Sequence, residues 1–130
     1  MQPGAPRRIV VADDNEDSAQ SFAMLLSFSG HEVCIAHDGA EALNALRDFR
    51  PDVAFLDIGM PGLTGYDLLH KLREQTHQQR RRTPAIALTA FAGQRDEALQ
   101  AGFDAYMVKP FETEVLVGEV ERLALEQNRD

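Results

Sequence analysis

The sequence predicts an α/β fold in which five parallel strands form a doubly wound sheet with helices on both faces. Short apolar runs rich in β-branched residues alternate along the chain with segments whose apolar residues recur at helical spacing. The run at residues 53–56, Val-Ala-Phe-Leu, has no polar alternation, which is typical of a parallel strand buried on both faces. Five runs and five helical segments follow one another without a shorter repeat, so we expect right-handed crossovers between parallel strands.

The predicted strands are short, and each ends where polar or turn-forming residues begin. They occupy residues 8–12, 32–36, 53–56, 85–88 and 105–108. The central run stops at Asp57, after which Gly59, Pro61 and Gly62 favour a turn. Asp57 is therefore expected at the carboxyl end of a central strand, the edge at which open α/β sheets bind ligands.

The first two helices carry recognisable start and stop signals. Asp14 or Asn15 can cap the first helix, and Gly30 suits the left-handed residue that ends it. Asp38 can cap the second helix, which ends before Pro51. The apolar positions of both segments recur at three- and four-residue spacing, so each helix is expected to bury one stripe.

The other three helices are predicted from a capping box and from apolar spacing. Thr64 with Asp67 three residues later resembles a capping box that opens the third helix. The polar segment at residues 75–83 is expected to be a solvated loop. A fourth helix is predicted over residues 93–101, and the last one from about Glu112.

Composition restricts the possible classes of protein. A chain of 130 residues with 44% hydrophobic residues fits one globular domain, predicted over residues 8–127 between a leader at 1–7 and a tail at 128–130. The net charge of −8 argues against binding to a nucleic-acid backbone, even with three arginines at residues 80–82. Cys34 is the only cysteine, which fits a reducing cytoplasm, and no apolar run is long enough to span a membrane. Four histidines without ligand spacing are expected at the surface: His31, His37, His70 and His77.

Charged and hydroxyl side chains follow four of the five strands. These residues are Asp13, Asp14, Asp57, Thr89 and Lys109. The carboxyl ends of parallel strands share one edge of the sheet, so we expect the side chains to meet in one cleft. Three carboxylates repel one another unless a cation lies among them, and Mg²⁺ prefers such oxygen ligands. Carboxylate, metal, ammonium and hydroxyl groups together can hold a phosphoryl group, and a carboxylate can accept it covalently.

With these motifs in this order, the chain resembles the response-regulator receiver domains of two-component signalling, from about Arg8 to the final helix. The resemblance implies the flavodoxin-like strand order 2-1-3-4-5. It also implies that Asp57 is the phosphoacceptor. The acidic pair Asp13 and Asp14 would bind Mg²⁺, or Mn²⁺ in its place, together with Asp57 and the backbone carbonyl of Gly59.

The same resemblance assigns roles to residues on the last two strands. Thr89 matches the switch hydroxyl and Ala90 the small residue beside it. Lys109 matches the lysine that contacts the phosphoryl group, and Tyr106 matches the aromatic switch position. The bond between Lys109 and Pro110 matches one that the family holds in cis.

Further expectations concern signal lifetime and partners. Gly59 and Phe91 occupy the two positions where the family tunes hydrolysis of the acyl phosphate. The resemblance implies a cytoplasmic switch rather than an enzyme, phosphorylated by a histidine kinase or a histidine phosphotransfer domain. The switch would present the surface of helix 4, strand 5 and helix 5 to a downstream protein, without itself binding nucleic acid or membrane. The sequence is compatible with a free-standing regulator and with a receiver from a hybrid sensor kinase.

Two other functions would use the same fold. An aspartyl-phosphate phosphatase of the haloacid dehalogenase type also has an Asp at a strand end, but it requires a second Asp where Gly59 stands. A flavodoxin-like mononucleotide binder would need a phosphate loop rich in Ser, Thr or Gly after the first strand. Asp13 and Asp14 lie there instead and would repel phosphate.

Overall fold

The computed structural model describes residues 7–60, 62–78, 83–90, 93–109 and 113–127. Strands and helices alternate along the whole described chain. In order they are β1 (Arg8–Ala12), α1 (Glu16–Phe28), β2 (Glu32–Ala36), α2 (Gly39–Asp48), β3 (Val53–Asp57), α3 (Gly65–Gln78), β4 (Ala85–Thr89), α4 (Arg95–Ala101), β5 (Ala105–Val108) and α5 (Thr113–Gln127).

The strands form one parallel sheet in the order β2-β1-β3-β4-β5. This confirms the predicted α/β class and the strand order. Every residue of β3 and of β4 is buried, as the continuous apolar runs predicted. The order reverses between β1 and β3, so their carboxyl ends flank the crevice in which such sheets bind ligands.

Each face of the sheet carries its own hydrophobic core, because successive strand residues point to opposite sides. On one side Ala54 and Leu56 of β3 pack with α2, α3 and α4. On the other side Val53 and Phe55 pack with α1 and α5. The rings of Phe22 and Phe55 meet edge to face with their centroids 4.7 Å apart. The strand that ends at Asp57 is therefore fixed from both sides.

The caps predicted for the first three helices are present. Asn15 accepts a hydrogen bond from the backbone N–H of Ser18 at the start of α1, and Asp38 accepts one from Glu41 at the start of α2. At α3 the backbone N–H of Thr64 donates to Asp67, whose own N–H donates to the Thr64 hydroxyl. Local sequence therefore fixes where these helices begin.

Two helix boundaries differ from those predicted. Helix α3 continues to Gln78, into the polar segment expected to be a loop, and the Gln75 amide donates to the carbonyl of Leu46 on α2 at 2.8 Å. Tertiary contact thus extends a segment that lacks an apolar stripe. Helix α4 begins at Arg95 because Gly93 adopts φ +105°, which an α-helix does not accommodate. Several predicted features lie outside the described residues. They are the arginines at 80–82, Glu112, the leader before Arg7 and the tail after Gln127.

His31 is buried, so the surface prediction is wrong for this histidine. Its Nδ1 accepts a hydrogen bond from the backbone N–H of Arg7, and its Nε2 lies 3.9 Å from a carboxylate oxygen of Glu121 on α5. Burial lowers the pKa of His31, and the charge of Arg7 adds to this against the opposing effect of Glu121. His70 is exposed, as predicted. Within the described part of the chain, no helix combines the length and the apolar character that a membrane crossing requires.

Candidate functional site

The carboxylates of Asp13, Asp14 and Asp57 meet at the carboxyl edge of the sheet. Ala12 of β1 pairs with Leu56 of β3, so the residues that follow them lie side by side. One oxygen from each of the three carboxylates lies within 4.8 Å of the others. Asp13 is fully buried and Asp57 nearly so, whereas Asp14 is exposed at the mouth of the cleft.

Asp13 is held by three donors. Its Oδ1 accepts the backbone N–H of Asn15 at 3.0 Å. Its Oδ2 accepts the hydroxyl of Ser18 at 3.0 Å and the Lys109 ammonium at 2.7 Å. Burial by itself would raise the pKa of Asp13, but the hydrogen bonds from Lys109, Asn15 and Ser18 and the charge of Lys109 together lower it below its usual value. Asp13 is therefore a carboxylate at neutral pH.

Fewer hydrogen bonds stabilise the negative charge of Asp57 than that of Asp13. The backbone N–H of Gly59 donates to its Oδ1 at 2.7 Å, and the Lys109 ammonium lies 3.3 Å from its Oδ2. Burial raises the pKa of Asp57, and the neighbouring charge of Asp13 raises it further, against the opposing effects of Gly59 and Lys109. A further positive charge in the cleft would stabilise this carboxylate most.

Lys109 connects the two buried carboxylates. Its backbone N–H donates to the carbonyl of Thr89 at 2.8 Å, which fixes the end of β5 beside β4 and directs the side chain into the cleft. Burial by itself would lower the pKa of Lys109, but the hydrogen bond to Asp13 and the charge of Asp57 raise it. The ammonium therefore remains charged, although it offsets only one of the three negative charges.

This donor set fits a hard divalent cation. Mg²⁺ prefers a few carboxylate oxygens and completes its coordination shell with water or phosphate oxygens. Asp13, Asp14 and Asp57 provide such oxygens at close range, and the exposed position of Asp14 leaves the cleft open on one side. The acidic cluster is thus suited to binding a divalent metal.

The predicted switch residues lie beside this cleft. Thr89 is buried at the end of β4, next to β3, and its hydroxyl donates to the side-chain oxygen of Gln94 at 3.1 Å. Tyr106 on β5 is half-buried, and its hydroxyl accepts the backbone N–H of Gln94 at 3.2 Å. Ala90 is exposed immediately after Thr89. Phe91 and Pro110, the other two predicted positions, lie outside the described residues.

Three residues near the cleft were missed by the sequence analysis. Ser18 supports Asp13, and its only sequence signal is its place one turn into the helix that follows the acidic pair. A Cβ on Gly65 would lie 2.9 Å from the carbonyl oxygen of Asp57 and 2.9 Å from Cα of Ile58, so only glycine allows α3 to approach β3 this closely. Gln94 contacts both Thr89 and Tyr106 and has no local sequence signal.

The model of the response regulator receiver domain family matches residues 9–121, which include β2 to β5 and all of β1 except Arg8. The chain belongs to the response regulator receiver family. The match covers most of the chain and includes every described residue of the carboxylate cluster. It does not favour the phosphatase alternative.

Relatives and solved structures agree with this assignment. The chain is 35% identical over 126 residues to the DNA-binding response regulator MtrA of Mycolicibacterium smegmatis. The aligned region covers 95% of this chain and 53% of MtrA. It therefore spans about half the length of this relative. The Francisella response regulator 1452 receiver domain superposes with a TM-score of 0.82 at 34% identity, covering 92% of this chain and 98% of that one.

A third similar protein has a metal in its cleft. The receiver domain of the sensor histidine kinase PA1611 from Pseudomonas aeruginosa PAO1 has a TM-score of 0.80 at 31% identity, covering 92% of this chain and 98% of its own. It was solved with magnesium ion coordinated in the active site cleft. Receiver domains of this family are signalling switches rather than enzymes in the usual sense.

Proposed function

We propose that Asp57 is the phosphoacceptor of a two-component phosphorelay and that it receives a phosphoryl group from a histidine kinase or a histidine phosphotransfer domain. The observation that carries this proposal is the pairing of a buried carboxylate, Asp57, with an ammonium 3.3 Å away and two more carboxylates beside it. Membership of the receiver family supports the same role.

The chemistry requires charge neutralisation and alignment. A carboxylate oxygen of Asp57 attacks phosphorus, the P–N bond of the donor phosphohistidine breaks, and its electron pair returns to the imidazole. Lys109 lies on the Oδ2 side of Asp57, where it offsets charge on the phosphoryl oxygens. The N–H of Gly59 holds the Oδ1 side, so the nucleophile cannot rotate freely.

Asp13, Asp14, Asp57 and the backbone carbonyl of Gly59 form the proposed metal site. Mg²⁺ is the expected ion and Mn²⁺ its substitute, since both accept oxygen ligands of this kind. When bound, the ion neutralises charge on the carboxylates and on the phosphoryl group. The short contact between Lys109 and Asp13 holds one of these carboxylates in place before any ion arrives.

Thr89 and Tyr106 are the proposed relay from the phosphoryl group to the surface of α4, β5 and α5. A phosphoryl oxygen on Asp57 attracts the Thr89 hydroxyl by a charge-assisted hydrogen bond. Tyr106 then changes its position beside β4, and a downstream protein binds the two states of the surface with different affinities. Ala90 beside Thr89 is proposed to leave room for this movement, and the bond between Lys109 and Pro110 is proposed to be cis.

Gly59 and Phe91 are proposed to set the lifetime of the acyl phosphate. A Cβ on Gly59 would lie 3.3 Å from Oδ1 of Asp57, so this position adjoins the phosphorylated group directly. The proposal includes slow phosphorylation by small phosphodonors and self-catalysed hydrolysis, with no other catalytic turnover.

The partners follow from the charge and the family. A receiver with a net charge of −8 is proposed to contact neither nucleic acid nor membrane itself. The cytoplasmic location predicted from Cys34 and the domain limits at residues 8 and 127 stay predictions.

Intact mass after incubation with acetyl phosphate tests the proposal. We expect the mass of one phosphoryl group to be added with Mg²⁺ present and none to be added in excess chelator. Asp57→Asn should abolish the addition, and Asp52→Asn, an exposed carboxylate at the opposite edge of the sheet, should leave it unchanged. Equal labelling of Asp57→Asn and the wild-type protein would refute the assignment.

A further inference from the structure

Gln94 joins three elements that the proposed relay would have to move. It is the residue before α4, with φ −107° and ψ 11°, and its carbonyl accepts the N–H of Ala98 at 3.0 Å in the first turn. Its side-chain oxygen accepts the Thr89 hydroxyl at 3.1 Å. Its backbone N–H donates to the Tyr106 hydroxyl at 3.2 Å. One residue thus connects β4, β5 and the start of α4.

The side chain of Gln94 is used in an unusual way for its position. Residues that precede a helix commonly accept a hydrogen bond from the first turn with their own side chain. The Gln94 side chain makes no such bond and contacts Thr89 instead. This contact lies at the buried end of β4, where losing a hydrogen bond costs more than it does in water.

We propose that Gln94 is a positioning residue that holds Thr89 and Tyr106 in their unphosphorylated arrangement. This inference rests on the proposed function of Asp57. The Thr89 hydroxyl can donate its single proton to only one acceptor at a time. It must therefore leave Gln94 before it donates to a phosphoryl oxygen.

Release of Thr89 also frees the side chain of Gln94, the residue before α4. The N–H of that same residue holds Tyr106, so movement of Gln94 couples the hydroxyl of β4 to the ring on β5. The strength of the bond between Thr89 and Gln94 then sets how readily the relay responds. A weaker bond favours the phosphorylated arrangement, and a stronger bond opposes it.

Two substitutions of Gln94 should act in opposite directions. Gln94→Met keeps the length of the side chain but removes the acceptor, so beryllofluoride with Mg²⁺ should bind about two- to tenfold more tightly, the range given by one net hydrogen bond. Gln94→Glu offers a charged acceptor to the same hydroxyl and should weaken binding. Isothermal titration of the intact chain measures both. Gln100→Met, at an exposed glutamine on α4, is the matched control.

A double-mutant cycle with Thr89→Val separates this coupling from effects of the charge alone. The effect of Gln94→Met should disappear in the Thr89→Val background, and most of the effect of Gln94→Glu should disappear with it. Unchanged affinity of Gln94→Met, or the same change in both backgrounds, would overturn the inference. If the wild-type protein itself fails to bind beryllofluoride with Mg²⁺, the proposed function fails first. If one Gln94 variant does not fold, the direction in which the other variant changes the affinity for beryllofluoride still tests the inference.

Discussion

Asp13 and Asp57 share the Lys109 ammonium unequally, and the pKa values of the two carboxyl groups shift in opposite directions. The ammonium lies 2.7 Å from Asp13 and 3.3 Å from Asp57. Asp13 also has two further donors on its carboxylate, whereas Asp57 has one. The pKa of Asp13 is lowered and the pKa of Asp57 is raised, although both side chains are buried in the same cleft.

Neutralising each carboxylate should therefore change stability in opposite directions in the metal-free protein at pH 7. Asp13→Asn should lower the free energy of unfolding by about 1.5–3 kcal/mol, the usual value of a hydrogen bond to a charged group. Asp57→Asn should raise the free energy of unfolding, since it removes a charge that the fold disfavours. Urea denaturation in chelator measures both, and the same sign for the two variants would contradict this account.

The pH dependence follows from the same two directions. The pKa of Asp13 lies below its usual 3.8 in the folded state, so its contribution to stability is present above pH 3.8 and is lost as the pH falls through the folded-state pKa. The pKa of Asp57 lies above 3.8, so the folded state binds its proton more tightly, and stability falls as the pH rises from 3.8 through the folded-state value. Asp57→Asn should remove that fall.

His31 should make the protein less stable as the medium becomes mildly acidic. Its pKa in the folded state lies below the usual 6.5, so the unfolded chain binds the proton first. The free energy of unfolding should decrease as the pH falls from 6.5 through the folded-state pKa. His31→Gln should flatten this slope, as measured by urea denaturation at a series of pH values. Equal slopes for the wild-type protein and His31→Gln would refute the assignment.

Among the secondary-structure elements, β3 and α3 approach each other closely at the site, where Gly65 faces the end of β3. A Cβ on Gly65 would lie 2.9 Å from backbone atoms of both Asp57 and Ile58, closer than real Cβ atoms approach. Neither backbone group can move without displacing the end of the central strand. The start of α3 therefore limits where the Asp57 carboxylate can lie.

Gly65→Ala should destabilise the protein by about 1–3 kcal/mol, the usual cost of overpacking. It should also weaken beryllofluoride binding, because the backbone of Asp57 must shift. Gly118→Ala is the control, since α5 has open space at that position and the change should stabilise the helix by about 0.5–1 kcal/mol. Chemical denaturation and calorimetric titration test the pair. Normal binding by Gly65→Ala would show that this contact does not position Asp57.

The elements that could be predicted from sequence are those whose signals are local. Apolar runs identified all five strands, and cap residues identified two helix starts. These were Asp38 for α2 and, for α1, either Asp14 or Asn15, of which Asn15 is the cap. The end of α3 and the burial of His31 could not be predicted, because they depend on contacts with residues far along the chain. The same division holds at the site. Strand ends predicted the charged residues, but Gln94 was found only from its contacts in three dimensions.

Arg73 on α3 joins the segments that precede β4 and β5 at one side of the sheet. Its guanidinium donates to the carbonyls of Thr83 and Gly102 and to the carboxylate of Asp104. Asp104 in turn accepts the N–H of Ala85 at the start of β4. This network lies at the amino edge of β4 and β5, opposite the carboxylate cleft.

Arg73→Met should lower the free energy of unfolding by about 2–3 kcal/mol, because carbonyl and carboxylate groups lose a charged donor. Binding of beryllofluoride at saturating Mg²⁺ should change little, since the network lies at the other edge of the sheet. Arg47→Met, which breaks an exposed pair with Asp48, should leave stability unchanged. Denaturation curves and beryllofluoride titrations of the same samples measure both properties. Loss of beryllofluoride binding by Arg73→Met, with stability equal to that of the wild-type protein, would contradict this prediction.

The ion pair between Lys109 and Asp13 joins residues 96 positions apart, which has a consequence for the order of events during translation. Asp13 leaves the ribosome early, and Lys109 follows only after all five strands have been made. Until then the acidic residues have no ammonium among them, and their mutual repulsion opposes closure of the cleft. A chain interrupted before its last strand cannot form the complete acceptor. The proposed phosphorylation of Asp57 therefore requires a chain whose synthesis has passed residue 109.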